Sequence, residues 1–564
     1  MLNEQVLRVL RIVPFLLCAW VMLCLSSAIT LERAIWFQVL YISCLVLSLF
    51  RPIWAVGVLL VLMPWLGGSQ PGYEHTLRFL LLVSGVALGI SLNLIRMSWT
   101  DNQRARVLID WSNPLSFAML VYWMVAGLSL VIVPTNRTLN SLIWFDHHLA
   151  RFFLGLPGSP LYPWLSFVTL SMAFVFFIQM VVWIKNDIRV AIKMIGAILI
   201  GSLITILVGF LDYYDFINLK FARPDNYEEY FGIYYRFQHL TSVFGNPGWL
   251  TQFLTLTAPA MMAIILLPLR RSFVLILLVA VMVLTEWCIL LAYQRGGWLS
   301  YPLTLIIIWF CVYVVSTQEG EAGNVWKKLK KSFLKIVITL PLTLILSLSL
   351  VYFIAKVQPE YRQNVDGFVE RASSIKNVND RLAFWYPTLK LFKQHPILGG
   401  GVDSFQNQYE RSFLNEGHLC SHDDPYTTGA HGSAHNLYFQ ILAGKGIVGL
   451  FSLFGVMIAA IYLAWRGVFA KSIKSTMIRS REQKLVLMMG MAYVFALAIY
   501  SNVGEIFYFP ASYLVFATFM GAAAGAGEGL ASLSSRFKFG VWILLVIALI
   551  AHLLLEKFGG LACY

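Results

Sequence analysis

The 564-residue sequence has little charge, since only 12% of its residues are Asp, Glu, Lys or Arg while 59% are hydrophobic. A soluble domain carries about a quarter charged residues, and a chain this poor in charge cannot cover its surface with groups that water solvates. Its mean hydropathy is +0.72. The composition excludes a large cytosolic enzyme, a disordered chain and a coiled coil. It predicts an all-α polytopic integral membrane protein surrounded by membrane lipids.

Cysteine is also scarce, with 7 residues in the whole chain, which excludes a disulfide scaffold. Five of the seven lie in apolar stretches, where a small buried thiol is the ordinary interpretation. A disulfide between Cys420 and Cys563 stays open, because both fall in segments predicted on the same side of the membrane. The cytoplasmic segments contain no phosphate-binding loop or dinucleotide motif. This argues against an ATP-driven pump, and no cofactor is expected.

Fifteen stretches have the length and composition of a transmembrane helix, about 20 mostly apolar residues. The third and fourth are short, which favours tilted or re-entrant segments. The first is followed by small residues like a signal peptide, but we interpret it as an uncleaved helix. The stretches are 12–30, 34–50, 53–68, 80–95, 115–134, 164–184, 191–211, 250–269, 273–293, 298–315, 333–355, 447–467, 484–503, 507–526 and 541–558.

We let the spans alternate across the membrane from a cytoplasmic N-terminus. The residues behind the net charge of +14 then separate between the cytoplasmic and the external segments. Basic residues then concentrate in the cytoplasmic segments, as the positive-inside rule expects, so no nucleic-acid partner is needed to explain them. We predict four regions, an N-terminal transmembrane bundle (1–211), central transmembrane helices (212–355), a large periplasmic catalytic loop (356–446) and C-terminal transmembrane helices (447–564).

The large external loop predicts a helix that begins near Arg381 and ends at His395-Pro396. Its apolar residues, Leu382, Trp385, Leu389 and Phe392, recur at helical spacing. Two interpretations stay open, a helix that lies on the membrane surface and a helix that packs against neighbouring spans. The Gly399-Gly400-Gly401 run predicts a flexible turn after it.

Three external residues are candidates for chemistry. Arg295 is followed by Gly296 in a short hairpin, where glycine allows a ligand or another backbone to come close. Arg381 stands at a predicted helix start, where a cation needs an anion nearby. His435 precedes a span, and imidazole titrates near neutral pH, as a general base must. The alternatives are an interfacial arginine, an Arg381–Asp380 pair and a structural histidine.

Two other polar features have several interpretations. The tract from His418 to Asp424, with His431 beyond it, offers nitrogen, thiolate and carboxylate ligands. It lacks the spacing of a closed zinc site, so no metal is expected. Glu286 lies inside a predicted span, where an acid is either a proton relay or a partner in an interhelical hydrogen bond.

Four stretches together resemble the O-antigen ligase family, which is similar to the O-antigen polymerases. Phe244-Gly-Asn246-Pro resembles one family segment, although the family usually has a second Asn where this chain has Gly248. The others are Gln294-Arg295-Gly296-Gly297; Arg381-Leu-Ala-Phe-Trp385 followed by Pro396-Ile-Leu-Gly-Gly-Gly401; and Ala434-His435-Asn436 followed by Gly446-Ile-Val-Gly449. The likeness covers about residues 240–460. Family members usually have about twelve spans, fewer than the fifteen predicted here.

The resemblance implies a metal-independent, inverting glycosyl transfer on the periplasmic side of the bacterial inner membrane. The donor would be a glycan on polyprenyl (undecaprenyl) diphosphate, and the acceptor a sugar hydroxyl of the lipid A core or of another glycan. Arg295 and Arg381 would bind the diphosphate and His435 would activate the acceptor. Asn436, Trp385, Asn246, Gly296 and Gly401 would support the site.

Several related functions stay open at this point. A polymerase would use a second lipid-linked glycan as acceptor, and an oligosaccharyltransferase would glycosylate a protein. A lipid-oligosaccharide flippase would need no chemistry, but it predicts charges buried at mid-membrane and repeated halves. Here the charged residues lie mainly in loops, and the sequence shows no internal repeat.

Overall fold

A computed structural model gives the structure of the protein, and the described part is all-helical, with no strand among its residues. The described residues are 35–67, 73–100, 110–131, 162–214, 216–217, 240, 242–244, 247–317, 341–354, 356–357, 388–405, 434–468, 480–504, 506–508 and 510–559, with the single positions 16, 19, 22, 23 and 385.

The longer helices are numbered here in chain order. They are α1 (Ile35–Phe50), α2 (Pro52–Gly67), α3 (Tyr73–Thr100), α4 (Pro114–Leu128), α5 (Tyr162–Asn186), α6 (Arg189–Tyr213), α7 (Pro247–Thr257), α8 (Arg271–Leu291), α9 (Arg295–Thr317), α10 (Pro341–Ile354), α11 (Leu437–Val468), α12 (Arg481–Tyr500), α13 (Pro510–Ala526) and α14 (Ser535–Gly559). Short 3₁₀ segments cover Ser242–Phe244 and Ile506–Tyr508.

The predicted polytopic membrane fold is confirmed. Eight helices in the described part are long and apolar enough to cross a membrane, and six shorter apolar helices accompany them. Together they correspond to the second through fifteenth predicted spans. The fourth predicted span differs most, because α3 is 28 residues long and continues well beyond 80–95 at both ends.

The span that starts at Pro247 is not a uniform helix. It is α-helical to Thr257 and continues as a 3₁₀ helix over Ala258–Leu266, with Pro259 in the first turn of the 3₁₀ segment. Proline removes a backbone donor and its ring clashes with the preceding turn, which explains the change of helix type. The sequence pattern alone predicted one continuous span here.

Glycines allow the helices to pack closely in the middle of the bundle. A Cβ atom at Gly521 would lie 2.6 Å from Cβ of Met180, and one at Gly525 would lie 2.8 Å from Cβ of Ile184, so α13 and α5 are in close contact. A Cβ at Gly201 of α6 would lie 3.0 Å from the Val61 carbonyl oxygen of α2. Small residues serve the same purpose in many membrane helix interfaces.

Helix ends that the charge pattern assigns to one side of the membrane also meet in the structure. Lys185, at the end of α5, forms an ion pair with Glu528, which follows α13. Asn113, before α4, donates from Nδ2 to the Ala524 carbonyl, and the Leu533 amide donates to the Ser112 carbonyl. The helix ends that the predicted alternation places on one side of the membrane are therefore in contact at these three places.

Candidate active site

The helix ends near Lys185 and Glu528 lie at one end of the bundle. The most unusual backbone at the opposite end is a break in α11. Gly446 has φ 63° and ψ −166°, which are not helical values. The break leaves carbonyl and amide groups without helical partners, and the 396–401 segment bonds to them. The Gly400 and Gly401 amides donate to the Ala443 and Gly444 carbonyls at 3.0 and 2.9 Å. Buried backbone groups such as these must be satisfied within the protein.

The same segment also accepts hydrogen bonds across the break. The Ile447 amide donates to the Pro396 carbonyl at 2.9 Å, and the Val448 amide donates to the Ile397 carbonyl at 3.2 Å. We call the paired stretches 396–401 and 443–448 the glycine seam. The Pro396-to-Gly401 motif and the Gly446-to-Gly449 motif are therefore two sides of one structural element, although more than forty residues separate them in sequence.

The glycines of the seam bring two backbones into contact. A Cβ at Gly399 would lie 2.3 Å from the Gly444 carbonyl carbon, and one at Gly446 would lie 2.2 Å from the Ile397 carbonyl oxygen. Gly399, Gly400 and Gly401 are buried. Close backbone approach, together with positive φ at Gly399 and Gly401, requires glycine here. The predicted flexibility of this run stays a prediction.

A buried polar cluster lies against the seam, and sequence analysis did not predict it. Asp403 is 7% exposed and Lys445 is 2% exposed. Lys445 Nζ donates to Tyr122 Oη at 2.9 Å, and Tyr513 Oη donates to Asp403 Oδ2 at 3.4 Å. Burial raises the pKa of the Asp403 carboxyl, while the Lys445 charge and hydrogen bonds from Ser166 and Tyr513 oppose the rise.

His435 and Asn436 form the start of α11. The Asn436 Oδ1 atom accepts hydrogen bonds from the Tyr438 and Phe439 amides at 2.9 and 3.2 Å, so Asn436 caps the helix. His435 immediately precedes the cap, has φ 47° and is exposed. α11 thus begins ten residues before the predicted span 447–467, and the cap fixes the position of the histidine backbone.

Arg295 is the first residue of α9, and its side chain is half-buried. The two glycines that follow lie within the helix, and they serve helix packing. A Cβ at Gly296 would lie 2.9 Å from Val503 Cγ2, and one at Gly297 would lie 1.9 Å from Thr251 Cγ2. Sequence analysis expected a ligand or another backbone close to these glycines. In the structure, the side chains of Val503 and Thr251 occupy that position.

The connection between α12 and α13, residues 501–509, is where several of these elements meet. The Leu437 amide donates to the Ser501 carbonyl at 2.9 Å, and Asn436 Nδ2 donates to the Asn502 carbonyl at 3.4 Å. Val503 is the residue that packs on Gly296. The element that carries His435 and the one that carries Arg295 therefore contact the same short turn.

The start of α7 reaches the same connection. Tyr500 Oη donates to the Gly248 carbonyl at 3.1 Å, and Gln252 Nε2 donates to the Ile506 carbonyl at 2.8 Å. Sequence analysis did not select this connection. Its signal was Ser501-Asn502 and Gly504 between two apolar spans, a short polar stretch on the predicted external side.

Residues 388–394 of the large loop are helical, and the helix ends before His395, as predicted. Trp385 is also helical, and its ring centroid is 5.1 Å from that of Phe439. The predicted apolar face is only partly right, because Leu389 is 42% exposed whereas Leu391 is fully buried. Leu391 packs with Phe405 and neighbouring apolar residues, so this helix packs against other elements.

Several predicted residues lie outside the described part of the chain. These are Arg381, Asn246, the His418–Asp424 tract, His431, Cys420 and Cys563. The hypotheses about them stay predictions.

Among the described cysteines, Cys44, Cys288 and Cys311 are buried free thiols. Glu286 accepts hydrogen bonds from Thr343 at 3.1 Å and Ser347 at 3.0 Å. These bonds link α8 to α10, in agreement with the interpretation of Glu286 as a partner in an interhelical hydrogen bond.

Comparison with known proteins gives one match, over part of the chain. Residues 278–454 match the family model described as O-antigen ligase. The matched range runs from α8 to the middle of α11 and contains Arg295, Arg381 and His435. It confirms the resemblance, and it supports a glycosyltransferase-like role in polysaccharide assembly for a multi-pass bacterial membrane protein. No curated protein matches the chain.

Proposed function

We propose that this protein, which carries the O-antigen ligase domain over residues 278–454, transfers a glycan from a polyprenyl diphosphate to a sugar hydroxyl. The acceptor in this proposal is the lipid A core, as for a ligase. The reaction takes place at the membrane end that contains His435 and the glycine seam. That end is periplasmic if the charge distribution follows the positive-inside rule.

The proposed reaction is a single displacement. The acceptor hydroxyl loses its proton to a neutral His435 nitrogen as its oxygen attacks the anomeric carbon. The bond between that carbon and the diphosphate oxygen breaks, so the anomeric centre inverts and polyprenyl diphosphate leaves with the bonding electrons. Arg295 and Arg381 stabilise the growing negative charge, because guanidinium stays charged and forms two parallel hydrogen bonds to phosphate oxygens.

The observation that carries the proposal is the shared turn at Ser501–Val503. It contacts the α11 cap through the Leu437 and Asn436 hydrogen bonds and contacts the start of α9 through Val503 and Gly296. A general base and a diphosphate-binding arginine must act on one substrate, so they require neighbouring, fixed supports. The turn, in the connection between α12 and α13, contacts both the start of α11 and the start of α9 and so supports both.

The remaining site residues have supporting roles in this proposal. Asn436 fixes the helix start after His435, and Gly296 allows α9 to contact Val503. Gly401 donates its amide across the seam to Gly444. The Trp385 ring lies beside that of Phe439, and its apolar surface suits the glycan or the lipid of the donor. Asn246 precedes α7, whose first turn reaches the same connection.

The topology of the proposal can be tested separately from its chemistry. The regions 1–211, 212–355 and 447–564 are taken as membrane domains, and 356–446 as a periplasmic loop. Ser373→Cys should react with an impermeant thiol reagent in intact cells, while Ser332→Cys should react only after lysis. Labelling of Ser332→Cys in intact cells would reverse the assignment of sides.

The activity test uses purified protein with a polyprenyl-diphosphate glycan and three acceptors offered separately, in the presence of EDTA. We expect capped lipid A core. A longer lipid-linked glycan would identify a polymerase, and a modified protein would identify an oligosaccharyltransferase. Movement of the donor across vesicles without a new glycosidic bond would identify a flippase and refute the proposed chemistry. Loss of activity with EDTA, restored by one divalent ion, would refute a metal-independent mechanism.

A further inference from the structure

A cavity of about 780 Å³ lies far from the glycine seam, at the end of the molecule that holds the Lys185–Glu528 ion pair. Residues from the junction of α1 and α2, from the last turns of α5 and from the first turns of α6 form its walls. Ligand pockets have volumes of about 300–1,000 Å³, so the cavity has the size of a binding site. The proposed glycosyl transfer makes no use of it.

The mouth of the cavity is positively charged. Arg51, the single residue between α1 and α2, and Lys193, in the second turn of α6, both line it and are exposed. No acidic residue is among the described residues of its lining. Two cations, one between α1 and α2 and one in α6, without a neutralising carboxylate in the described lining fit an anion such as a phosphate.

The walls behind these cations are apolar. In α2, Trp54, Gly57 and Val61 recur at helical spacing, and in α6, Met194 and Ala197 do the same. Both helices run from the charged mouth toward the middle of the bundle, so these faces form an apolar path about 10 Å long from Trp54 to Val61. Trp54 is 70% exposed, and tryptophan is typical of the boundary between headgroups and acyl chains.

We propose that this cavity binds one anionic glycerophospholipid. Its phosphate contacts Arg51 and Lys193, and one acyl chain follows the groove past Gly57 and Met194. A zwitterionic lipid offers the same chains, but its own ammonium group competes for the phosphate. The site therefore prefers a lipid with net negative charge. This inference is independent of the proposed glycosyl transfer.

The test measures lipid retention by the full-length protein. Protein reconstituted with equal amounts of phosphatidylglycerol and phosphatidylcholine is released into detergent, and bound lipid is counted by native mass spectrometry. We expect one retained phosphatidylglycerol per chain. The double variant Arg51→Gln/Lys193→Gln should lower its affinity about 30-fold, because each cation near an anionic lipid contributes about 1 kcal/mol and 1.4 kcal/mol is tenfold.

Two further variants make the result decisive. Arg270→Gln/Arg271→Gln removes two exposed charges that do not line the cavity, so retention should stay unchanged. Gly57→Leu keeps both cations but fills the groove, since a Cβ at Gly57 meets only Met194 Cε at 3.6 Å. It should reduce retention of both lipids. Unchanged retention in Arg51→Gln/Lys193→Gln, or equal loss in the Arg270/Arg271 variant, would overturn the proposal.

Discussion

The two ends of the helix bundle are built in different ways. At the end that charge predicts to be cytoplasmic, α4 and α12 begin with ordinary side-chain caps. Asn113 Oδ1 accepts from the Leu115 amide at 3.0 Å, and Ser480 Oγ accepts from the Gln483 amide at 3.2 Å. One ion pair and a few hydrogen bonds join neighbouring helix ends. Such features satisfy free backbone groups and hold the bundle together at small energetic cost.

The end with the glycine seam contains most of the unusual backbone. Among the described residues, the four non-glycine positions with positive φ are Ser242, Tyr293, Asp403 and His435, and all are at this end. A residue held in such a conformation costs on the order of 1–3 kcal/mol, and such residues cluster at functional sites. The contrast indicates that strained backbone is concentrated at the end where the proposed glycosyl transfer takes place.

The largest expected effect of a single substitution is at His435. His435→Ala removes the proposed general base, and the rate of glycosyl transfer should fall by about 10²–10⁴. Donor binding should change little, because the histidine acts on the acceptor in the proposed reaction. Single-turnover rates and donor affinity of the purified variant give the two values. Full activity in His435→Ala would refute this role.

Lys445 should have the next largest effect, on stability. Lys445→Met removes the cation that opposes the buried Asp403 carboxylate, so the free energy of unfolding in mixed micelles should fall by about 3–5 kcal/mol. The double variant Asp403→Asn/Lys445→Met should recover much of the loss, because no unpaired charge remains. A double variant less stable than Lys445→Met would contradict this explanation.

The pH dependence of Lys445→Met has a definite sign. Burial raises the Asp403 pKa and Lys445 opposes the rise, so the variant should have a still higher Asp403 pKa in the folded state. A carboxyl with a raised folded pKa loses stability as pH rises above its unfolded value. The difference between variant and parent should therefore shrink as pH falls toward the usual Asp range. An unfolding series at several pH values tests this.

The diphosphate-binding proposal predicts a slightly smaller effect at Arg295. Arg295→Lys keeps the charge but loses the paired hydrogen bonds, so the rate should fall by about 10²–10³, with weaker donor binding. Arg271→Lys is the matched control, since Arg271 begins α8 at the opposite end and is exposed. Equal activity of the two variants would mean that Arg295 contributes only charge.

The sequence predicted the spans well because the length and hydrophobicity of a helix are local properties. It also singled out His435 and Arg295, whose motifs are short. It could not predict the seam, because the break at Gly446 is bridged by backbone groups of 396–401, more than forty residues earlier in the chain. The Asp403–Lys445 cluster was missed for the same reason, since each residue has ordinary neighbours in sequence. The contact between Gly296 and Val503 could not be predicted, because Val503 lies more than two hundred residues away.

The smallest expected effect is at the ordinary end, in the Lys185–Glu528 pair. Their Nζ–Oε1 distance is 2.6 Å and the side chains are 25% and 18% exposed. Water and salt screen such a pair, so Lys185→Gln should lower the free energy of unfolding by no more than about 1 kcal/mol. A double-mutant cycle with Glu528→Gln, repeated at high salt, isolates the interaction. Glycosyl transfer should be unaffected, since the pair lies at the other end from His435. A large loss of activity in Lys185→Gln without loss of stability would show that the two ends are coupled, and would contradict the confinement of the proposed chemistry to the end with the glycine seam.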